Sequence, residues 1–391
     1  MVGQGYVGLP LAIAASNAGY TVFGLDRDVE KIKSLTNGKS VTEDLSDQEI
    51  KNSIDSKRYL PTTKSEVVAS SEVILVCVPT PLSKEHKPDL TALITATTTV
   101  GLNLKAGSLV IIESTIEPGT CRKILLPILM NESKLKENEF ELAYSPERID
   151  PTNKKWSISN TPKIVAGLTE SAARNAESFY GKFISTITKC SSLEIAETAK
   201  LLENSFRLVN ISFINELAIF CQKIGIEVTE VINAAATKPY GFMPFYPSIG
   251  VGGHCIPVDP IYLSTSARAA GTQIRFIDLA DQINQEMPGY FVGRAEEKLG
   301  KLKNKKVIVV GISYKPNVAD VRESPVAALI SRLKHKGAQV AWHDDLVKAW
   351  NGEKSSALSS DFDLAIIATP HDYLDLTKLG NVPVLNTRRS I

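Results

Sequence analysis

Gly3-Gln4-Gly5-Tyr6-Val7-Gly8 stands at the head of the chain and decides its fold class. The first glycine allows a tight turn, the second lets a pyrophosphate approach the backbone, and the third lets helix and strand pack closely. A helix is expected from about Pro10, its free amides facing the phosphates. Outward from this turn, a strand over Tyr20–Leu25 ends at Asp26, 18 residues past Gly8. A carboxylate there accepts hydrogen bonds from both ribose hydroxyls and repels a 2′-phosphate, which points to NAD; the adjacent Arg27 argues toward NADP. The alternative is a glycine turn serving backbone geometry alone. A central strand should precede Gly3, yet only Met1 and Val2 stand there. Either the start of the chain is missing or the sheet lacks most of that strand, with weakened cofactor binding as the expected consequence.

Two more runs read as strands covered on both faces, Val73–Val78 and Leu109–Ile112, with helical stretches at Leu11–Asn17 and Leu90–Leu104. That alternation predicts a parallel, doubly wound sheet. From Ser191 the texture changes: Leu193–Ile224 carries apolar residues at helical spacing with no proline or glycine, as in a helix that bridges domains or forms a subunit interface. A second alternating unit follows, with strands at Val307–Val310, Gln339–Trp342 and Leu364–Ala368 and a helix at Val326–Lys336. The expected architecture is α/β: two Rossmann-like doubly wound parallel-sheet domains, residues 1–190 and 301–391, joined by a helical region at 191–300. No internal repeat stands out.

The 391 residues exceed one ordinary core. With 44 basic and 43 acidic residues, no net field recruits nucleic acid or an anionic membrane. The five cysteines are scattered, without a CxxC pair, which argues against disulfides or zinc and for a reducing, cytoplasmic setting. No apolar run approaches membrane-spanning length, and the early glycine turn is unlike a signal peptide. No metal site is expected.

Gly250-Val251-Gly252-Gly253-His254-Cys255-Ile256-Pro257-Val258-Asp259-Pro260 is the most informative stretch. Its glycines allow close approach to a ligand, and its two prolines are expected to prevent a regular helix. Gly-rich amides or a nearby lysine would favour a thiolate at Cys255, and Asp259 is placed to orient a water or a basic partner. A buried structural cysteine is the competing reading, and it is the preferred one for Cys77, Cys121, Cys190 and Cys221. Glu113-Ser114-Thr115 and Val78-Pro79-Thr80-Pro81 follow strands, at the edge where ligands bind in open α/β sheets. Tyr144-Ser145-Pro146-Glu147-Arg148 sets a carboxylate beside a guanidinium. Glu197, Lys200, Asn204 and Arg207 share one helix face, ordinarily a solvated one.

Together these segments resemble the UDP-glucose/GDP-mannose dehydrogenase family over essentially the whole chain. The matches run in order: GQGYVGLP at 3–10, VPTP at 78–81, ESTIEPGT at 113–120, SPER at 145–148, AETAKLLENSFR at 196–207, GVGGHCIPVDP at 250–260 and SYKPNVADVRES at 313–324. The resemblance implies an N-terminal NAD domain, a long connecting helix, a C-terminal nucleotide-binding domain and a homodimer or larger homo-oligomer formed through the central region. It implies Cys255 as nucleophile, Lys200 and Asn204 as the groups that hold and polarise the sugar C6 oxygen, and Glu147, Thr115 and Asp259 as those that position the hydrolytic water or take its protons. Cofactor contacts are implied at Gly3, Gly5, Tyr6, Val7, Gly8, Asp26, Lys31, Val78, Pro79, Thr80, Ser114, Thr115 and Arg322, the last reaching across the domain cleft. Sugar-nucleotide contacts are implied at Glu147, Arg148, Lys200, Asn204, Arg207, Phe242, Phe245, Tyr246, Gly252, Gly253 and Lys315. Arg388 is either a nucleotide contact or, with Thr387 and Arg389, a solvated tail.

Turning CH₂OH into a carboxylate removes two hydrides, so two NAD are consumed. Capture of the intermediate aldehyde by a thiolate gives a thiohemiacetal that releases the second hydride and becomes a thioester, which water hydrolyses. His254 and Val258, with SPERIDP at 145–151, resemble the branch acting on UDP-N-acetylhexosamines, UDP-N-acetylglucosamine before UDP-N-acetylmannosamine or UDP-glucose. Two rivals stand: a dehydrogenase that stops after one oxidation, and a non-catalytic nucleotide-sugar-binding protein.

Overall fold

The computed structural model describes residues 1–149, 153 and 155–388. The chain divides into two compact units, Met1–Leu202 and Glu203–Ile391. In the first, the strands are β1 (Val22–Leu25), β2 (Tyr59–Thr62), β3 (Val73–Val76), β4 (Leu109–Ile112), β5 (Glu141–Tyr144), β6 (Lys163–Gly167) and β7 (Ile187–Lys189). Its helices are α1 (Gly8–Asn17), α2 (Val29–Thr36), α3 (Asp47–Asp55), α4 (Thr91–Asn103), α5 (Leu126–Ser133) and α6 (Glu170–Tyr180). β1 pairs with β2, and β3 to β7 form a ladder in sequence order. All pairs are parallel except β5 with β6, which departs from the fully parallel expectation. The β4 run is buried at every position, as an apolar strand covered by helices on both faces requires.

The expected gap before Gly3 is closed by two residues. Val2 bridges Leu25 on one side and Val76 on the other, both in parallel. Its amide donates to Leu75 O at 2.7 Å and its carbonyl accepts from Cys77 N at 2.8 Å, while Leu25 N donates to Met1 O at 2.8 Å. Met1–Val2 therefore stands in the central position of the sheet, at the level where the glycine turn leaves it. Two buried apolar clusters flank the sheet, one centred on Ile112, Leu125 and Leu142, the other on Leu9, Ile111 and Tyr180.

α7 (Leu193–Ile224) has the predicted limits, and its 32 residues span roughly 48 Å at 1.5 Å per residue. α8 (Val228–Ala236), α9 (Asp259–Ala269) and α10 (Arg275–Leu299) follow. The last sheet has the order β13-β12-β8-β9, all parallel, from β8 (Lys306–Val310), β9 (Gln339–His343), β12 (Leu364–Ile367) and β13 (Val384–Asn386). A hairpin of β10 (Ala349–Trp350) and β11 (Glu353–Lys354) lies outside it, and α11 (Val326–His335) packs on its apolar side chains.

The two sheets repeat one local design that the residue pattern conceals. Gly3 and Gly311 both have positive φ, +90° and +79°, and each donates its amide to the end of the neighbouring strand, Leu25 O or His343 O, at 2.8 Å. The next amide in each case donates to the acid ending that strand, Gln4 to Asp26 at 2.8 Å and Ile312 to Asp344 at 2.9 Å. The environments then diverge. Asp344 also accepts from the Ser313 hydroxyl, Leu346 N, Val347 N and His371 Nε2. Burial alone would raise its carboxyl pKa, but His371 and these amides hold it far below the ordinary range.

Candidate functional site

In the first unit, packing dictates two of the three turn glycines and leaves the middle one open. A Cβ on Gly3 would lie 2.4 Å from Cys77 O, and one on Gly8 1.9 Å from Gly3 O, whereas one on Gly5 would meet nothing within 4 Å. That open face at Gly5, at the start of α1, is the room a dinucleotide pyrophosphate needs. α1 begins at Gly8, two residues earlier than expected, and buries Gly8 and Leu9, while Val7 is half-buried and Tyr6 exposed. Gln4, absent from the predicted set, pins the turn: its side-chain oxygen accepts from Tyr59 OH at 2.6 Å and its amide nitrogen donates to Gly3 O at 2.9 Å.

Asp26 ends β1 as predicted and accepts from Gln4 N, from Asp28 N at 3.0 Å and from Lys31 Nζ at 2.8 Å. Burial pushes its pKa up, but Lys31 and the two amides outweigh it, so the carboxyl stays below its usual range and ionised. Lys31 is thus the acid's ion-pair partner. Ser114 ties the two other strand-end segments together, its hydroxyl donating to Val78 O at 2.7 Å and accepting from Val78 N at 3.1 Å. Thr80 is buried, Pro79 exposed and Thr115 half-buried beside them.

Beneath the loop after β5 lies a cluster the sequence reading missed. Lys163, at the start of β6, is buried and places Nζ 2.8 Å from Glu113 Oε2 and 3.8 Å from Glu147 Oε2. Tyr180 on α6 donates its hydroxyl to Glu113. Burial raises the Glu113 pKa to about 7 against the pull of Lys163, with the Glu147 charge adding to the rise. Glu147 accepts from Arg148 N at 2.6 Å and Ile149 N at 2.7 Å, and Arg148 donates to Pro162 O at 2.8 Å. Asp150 and Pro151 of the SPERIDP stretch, and Arg389, lie outside the described residues.

The polar face of α7 is buried over most of its length, contrary to the ordinary solvated reading. Glu197, Lys200 and Asn204 are buried, and Arg207 is exposed. The Glu197 carboxylate accepts from Gly119 N at 2.5 Å and Cys121 N at 3.0 Å, clamping the turn that follows Ser114 and Thr115. Lys200 and Asn204 are one helical turn apart.

In the second unit Asn204 Nδ2 donates to Asp259 Oδ2 at 2.6 Å, both groups buried. Asp259 opens α9 with Pro260 in its first turn, so the expectation that these prolines prevent a helix is wrong. Proline lacks only a donor that a first helical turn leaves unpaired anyway. Cys255 O accepts from Asp259 N at 2.8 Å, which puts the cysteine one turn before the N-terminal end of that helix. Cys255 is exposed, while Cys77, Cys121 and Cys221 are buried and Cys190 is half-buried. Burial raises the pKa of each of those four thiols, the unreactive direction.

The loop glycines also serve the protein's own contacts. A Cβ on Gly252 would lie 2.8 Å from Glu323 O and Tyr314 Cβ, and one on Gly253, at φ +85°, 2.8 Å from the Tyr314 ring. On the other side the loop docks on α10 at Asn284, whose side chain accepts from Val251 N and donates to Val251 O at 3.4 Å. Pro288 inside α10 has no amide to give the Asn284 carbonyl, and Gly250 packs against that carbonyl, 3.1 Å from where its Cβ would stand. A helix interruption thus becomes a docking point. Asn215 on α7 adds a second, accepting from Ser248 N at 2.8 Å.

Of the remaining predicted contacts, Phe245 packs edge-on against Phe206, ring centroids 5.8 Å apart. Tyr246 donates its hydroxyl to Asn233 at 3.1 Å, and Phe242 is exposed. Lys315 is half-buried in the loop after β8. Arg322 makes a bidentate ion pair with Asp320 in its own loop. Arg388 offers its carbonyl to the Thr229 hydroxyl at 3.3 Å. Among the described residues no group of three or more His, Cys, Asp or Glu could hold a metal ion, and no helix is long and apolar enough to cross a membrane.

Family models for the UDP-glucose/GDP-mannose dehydrogenase family match the chain throughout: the NAD binding domain at residues 1–184, the central domain at 194–286 and the UDP binding domain at 308–389. The chain belongs to the UDP-glucose/GDP-mannose dehydrogenase family. It is an NAD-dependent oxidoreductase of that family. The UDP-N-acetyl-D-glucosamine 6-dehydrogenase of Pseudomonas aeruginosa is 37% identical over 355 residues, 89% of this chain and 83% of that protein. The UDP-N-acetyl-D-mannosamine dehydrogenase of Pyrococcus horikoshii is 35% identical over 377 residues, 95% and 88% of the two chains. A solved structure of the UDP-D-ManNAc dehydrogenase from Pyrococcus horikoshii superposes with a TM-score of 0.92 at 33% identity, covering 100% of this chain and 95% of that one.

Proposed function

We propose that the chain oxidises the C6 alcohol of a UDP-N-acetylhexosamine, UDP-N-acetylglucosamine in first place, to the uronic acid through an acyl adduct on Cys255. The observation that carries this reading is the setting of Cys255: of the five cysteines it alone is exposed, one turn before α9, with the next turn's Asp259 bonded to Asn204. The Lys200 ammonium stabilises the alkoxide that develops at C6, and Asn204, oriented by Asp259, adds a second donor. NAD, held at the Gly3–Gly8 turn and Asp26, would supply the hydride acceptor for each oxidation. The Cys255 thiolate adds to the aldehyde carbon, the C–S bond forms as the carbonyl π pair moves onto its oxygen, and that oxygen's return to a carbonyl drives the second hydride loss, leaving a thioester. Glu147 takes a proton from the attacking water, the C–O bond forms, and the C–S bond breaks with the electron pair returning to sulfur. Thr115 lies with Ser114 at the strand edge and completes the water-positioning set.

Residues 1–190 form the NAD-binding region, 191–300 the central region with the nucleophile and 301–391 the UDP-sugar region in this proposal, in a cytoplasmic setting consistent with five free cysteines. The second copy of a homodimer covers the exposed apolar stripe of α7 formed by Leu202, Phe206, Phe213, Phe220 and Ile224. Light scattering of a Phe213→Glu/Phe220→Glu variant tests that face, a monomer being expected. The Pseudomonas aeruginosa relative supports N-acetylglucosamine; the Pyrococcus horikoshii relative supports N-acetylmannosamine as the second reading. Parallel assays with UDP-N-acetylglucosamine, UDP-N-acetylmannosamine and UDP-glucose rank them, and the count of NADH per sugar tests the chemistry. Two NADH and a quenched acyl adduct on Cys255 are expected; one NADH and no adduct overturn the proposal.

A further inference from the structure

We propose that Glu113 and Lys163 are positioning residues for Glu147: one buried ammonium is shared by two carboxylates, and the charge on Glu113 sets how firmly Lys163 holds the Glu147 side chain. The inference rests on Glu147 being the base that activates water in the reading above.

The geometry makes Lys163 the hub. It is 5% exposed, donates to Glu113 at 2.8 Å and to Pro146 O at 3.3 Å, and sits over the Tyr180 ring, 4.9 Å from its centroid. A cation so enclosed needs an ionised partner at hand. Glu113 is fully enclosed, whereas the Glu147 side chain, 3.8 Å from the same nitrogen, is 17% exposed. The exposed carboxylate is the one able to meet water; the enclosed one is able only to balance charge.

The other titratable groups facing Glu113 do not compete. Tyr180, from α6, donates to it, and its own hydroxyl is pushed well above the ordinary range by burial and the Glu113 charge. The Cys77 thiol, at the end of β3, is likewise pushed up by burial first and by Glu113 next, and stays protonated. The buried Met1 amine lies beyond Cys77. Two groups titrate near neutrality: Glu113, raised to about 7, and the Met1 amine, which burial lowers to about 6 and whose charge bears on Cys77. When Glu113 is ionised, Lys163 is already balanced and Glu147 is free to take a proton. When it is neutral, Glu147 is the carboxylate left to balance Lys163, and the ion pair at 3.8 Å holds it in place. Uptake of the water proton by Glu147 removes one counter-charge, and Glu113 supplies the other.

The test follows decay of the Cys255 acyl adduct in single turnovers with UDP-N-acetylglucosamine and NAD, by rapid quench and mass measurement, from about pH 5 to about pH 9. Glu113→Gln, which is isosteric and permanently neutral, moves the acid limb of the decay rate down by about one pH unit. Lys163→Met, if it folds, moves it up by a similar amount. Opposite shifts are a signature that a merely structural role does not produce. A Glu113→Gln profile that superposes on the wild type overturns the inference and leaves the proposed chemistry standing. Absence of any adduct in the wild type sinks that chemistry, and the inference with it.

Discussion

Replacing Glu197 by alanine isolates what a buried carboxylate does for a loop three strands away in sequence. In the native chain its two oxygens receive Gly119 N and Cys121 N at 2.5 and 3.0 Å, inside a segment where Cys121 and Leu125 are fully buried. An amide bonded to a charged acceptor contributes about 1.5–3 kcal/mol, and a buried amide left without one costs about 1–3 kcal/mol. The two bonds act on one turn and are lost together, so we expect about 2–4 kcal/mol of local destabilisation once the turn has relaxed toward water. At about 1.4 kcal/mol per decade that is roughly a 30- to 1,000-fold rise in opening of the 117–125 segment. Hydrogen–deuterium exchange resolved to that peptide measures it. Glu197→Gln, which keeps one acceptor oxygen and turns an NH₂ toward the other amide, falls between. Because Ser114 and Thr115 lead into this turn, KM for NAD rises more than kcat falls. Less than about threefold faster exchange in Glu197→Ala would falsify the clamp.

Four further outcomes are expected. Cys255→Ser keeps sugar-nucleotide binding by calorimetry but forms no uronic acid; normal acid formation refutes the covalent route. Gly253→Ala forces a side chain into φ +85° against the Tyr314 ring and lowers thermal stability by an amount worth about 1–3 kcal/mol, with no loss if the loop is free. Asp26→Asn removes a charged acceptor for the ribose hydroxyls and raises KM for NAD about ten- to a hundredfold, while KM for NADP falls. Glu113 keeps its proton in the folded chain up to about 7 instead of the ordinary 4.5, so its own contribution to stability is complete below about 4.5 and falls by roughly 3 kcal/mol as pH rises through about 7; Glu113→Gln flattens a urea-midpoint profile over that window.

The legible parts of the chain were those where one local rule suffices. Leu193–Ile224 was readable to its last residue because uninterrupted helical periodicity has no competitor. Asp26 was readable because a strand end and a spacing define it. The 25-residue helix α10 was harder to see: Pro288 reads as a breaker, and only the loop docked at Asn284 makes the interruption useful. Glu113 and Lys163 are 50 positions apart, and nothing in either segment announces a pair. Gln4 sits inside the most conspicuous motif yet was overlooked, because its role emerges only once Tyr59 arrives from β2. The glycines before Cys255 are legible as a need for an absent Cβ, but nothing in the motif announces Tyr314 as a neighbour that demands it.

The saturated carboxylate at the end of β9 has a consequence for how one architecture serves two different nucleotides. Asp344 occupies the station that Asp26 holds in the first unit, but its acceptor capacity is spent on amides, a serine and an imidazole whose Nδ1 in turn receives Asn317 N at 2.9 Å. The acid has been kept and its vocabulary removed: a ribose arriving there finds no oxygen left to address. The contrast between the two sheets is thus one of lone-pair occupancy at matching acids, a quantity that a change such as His371→Ala alters.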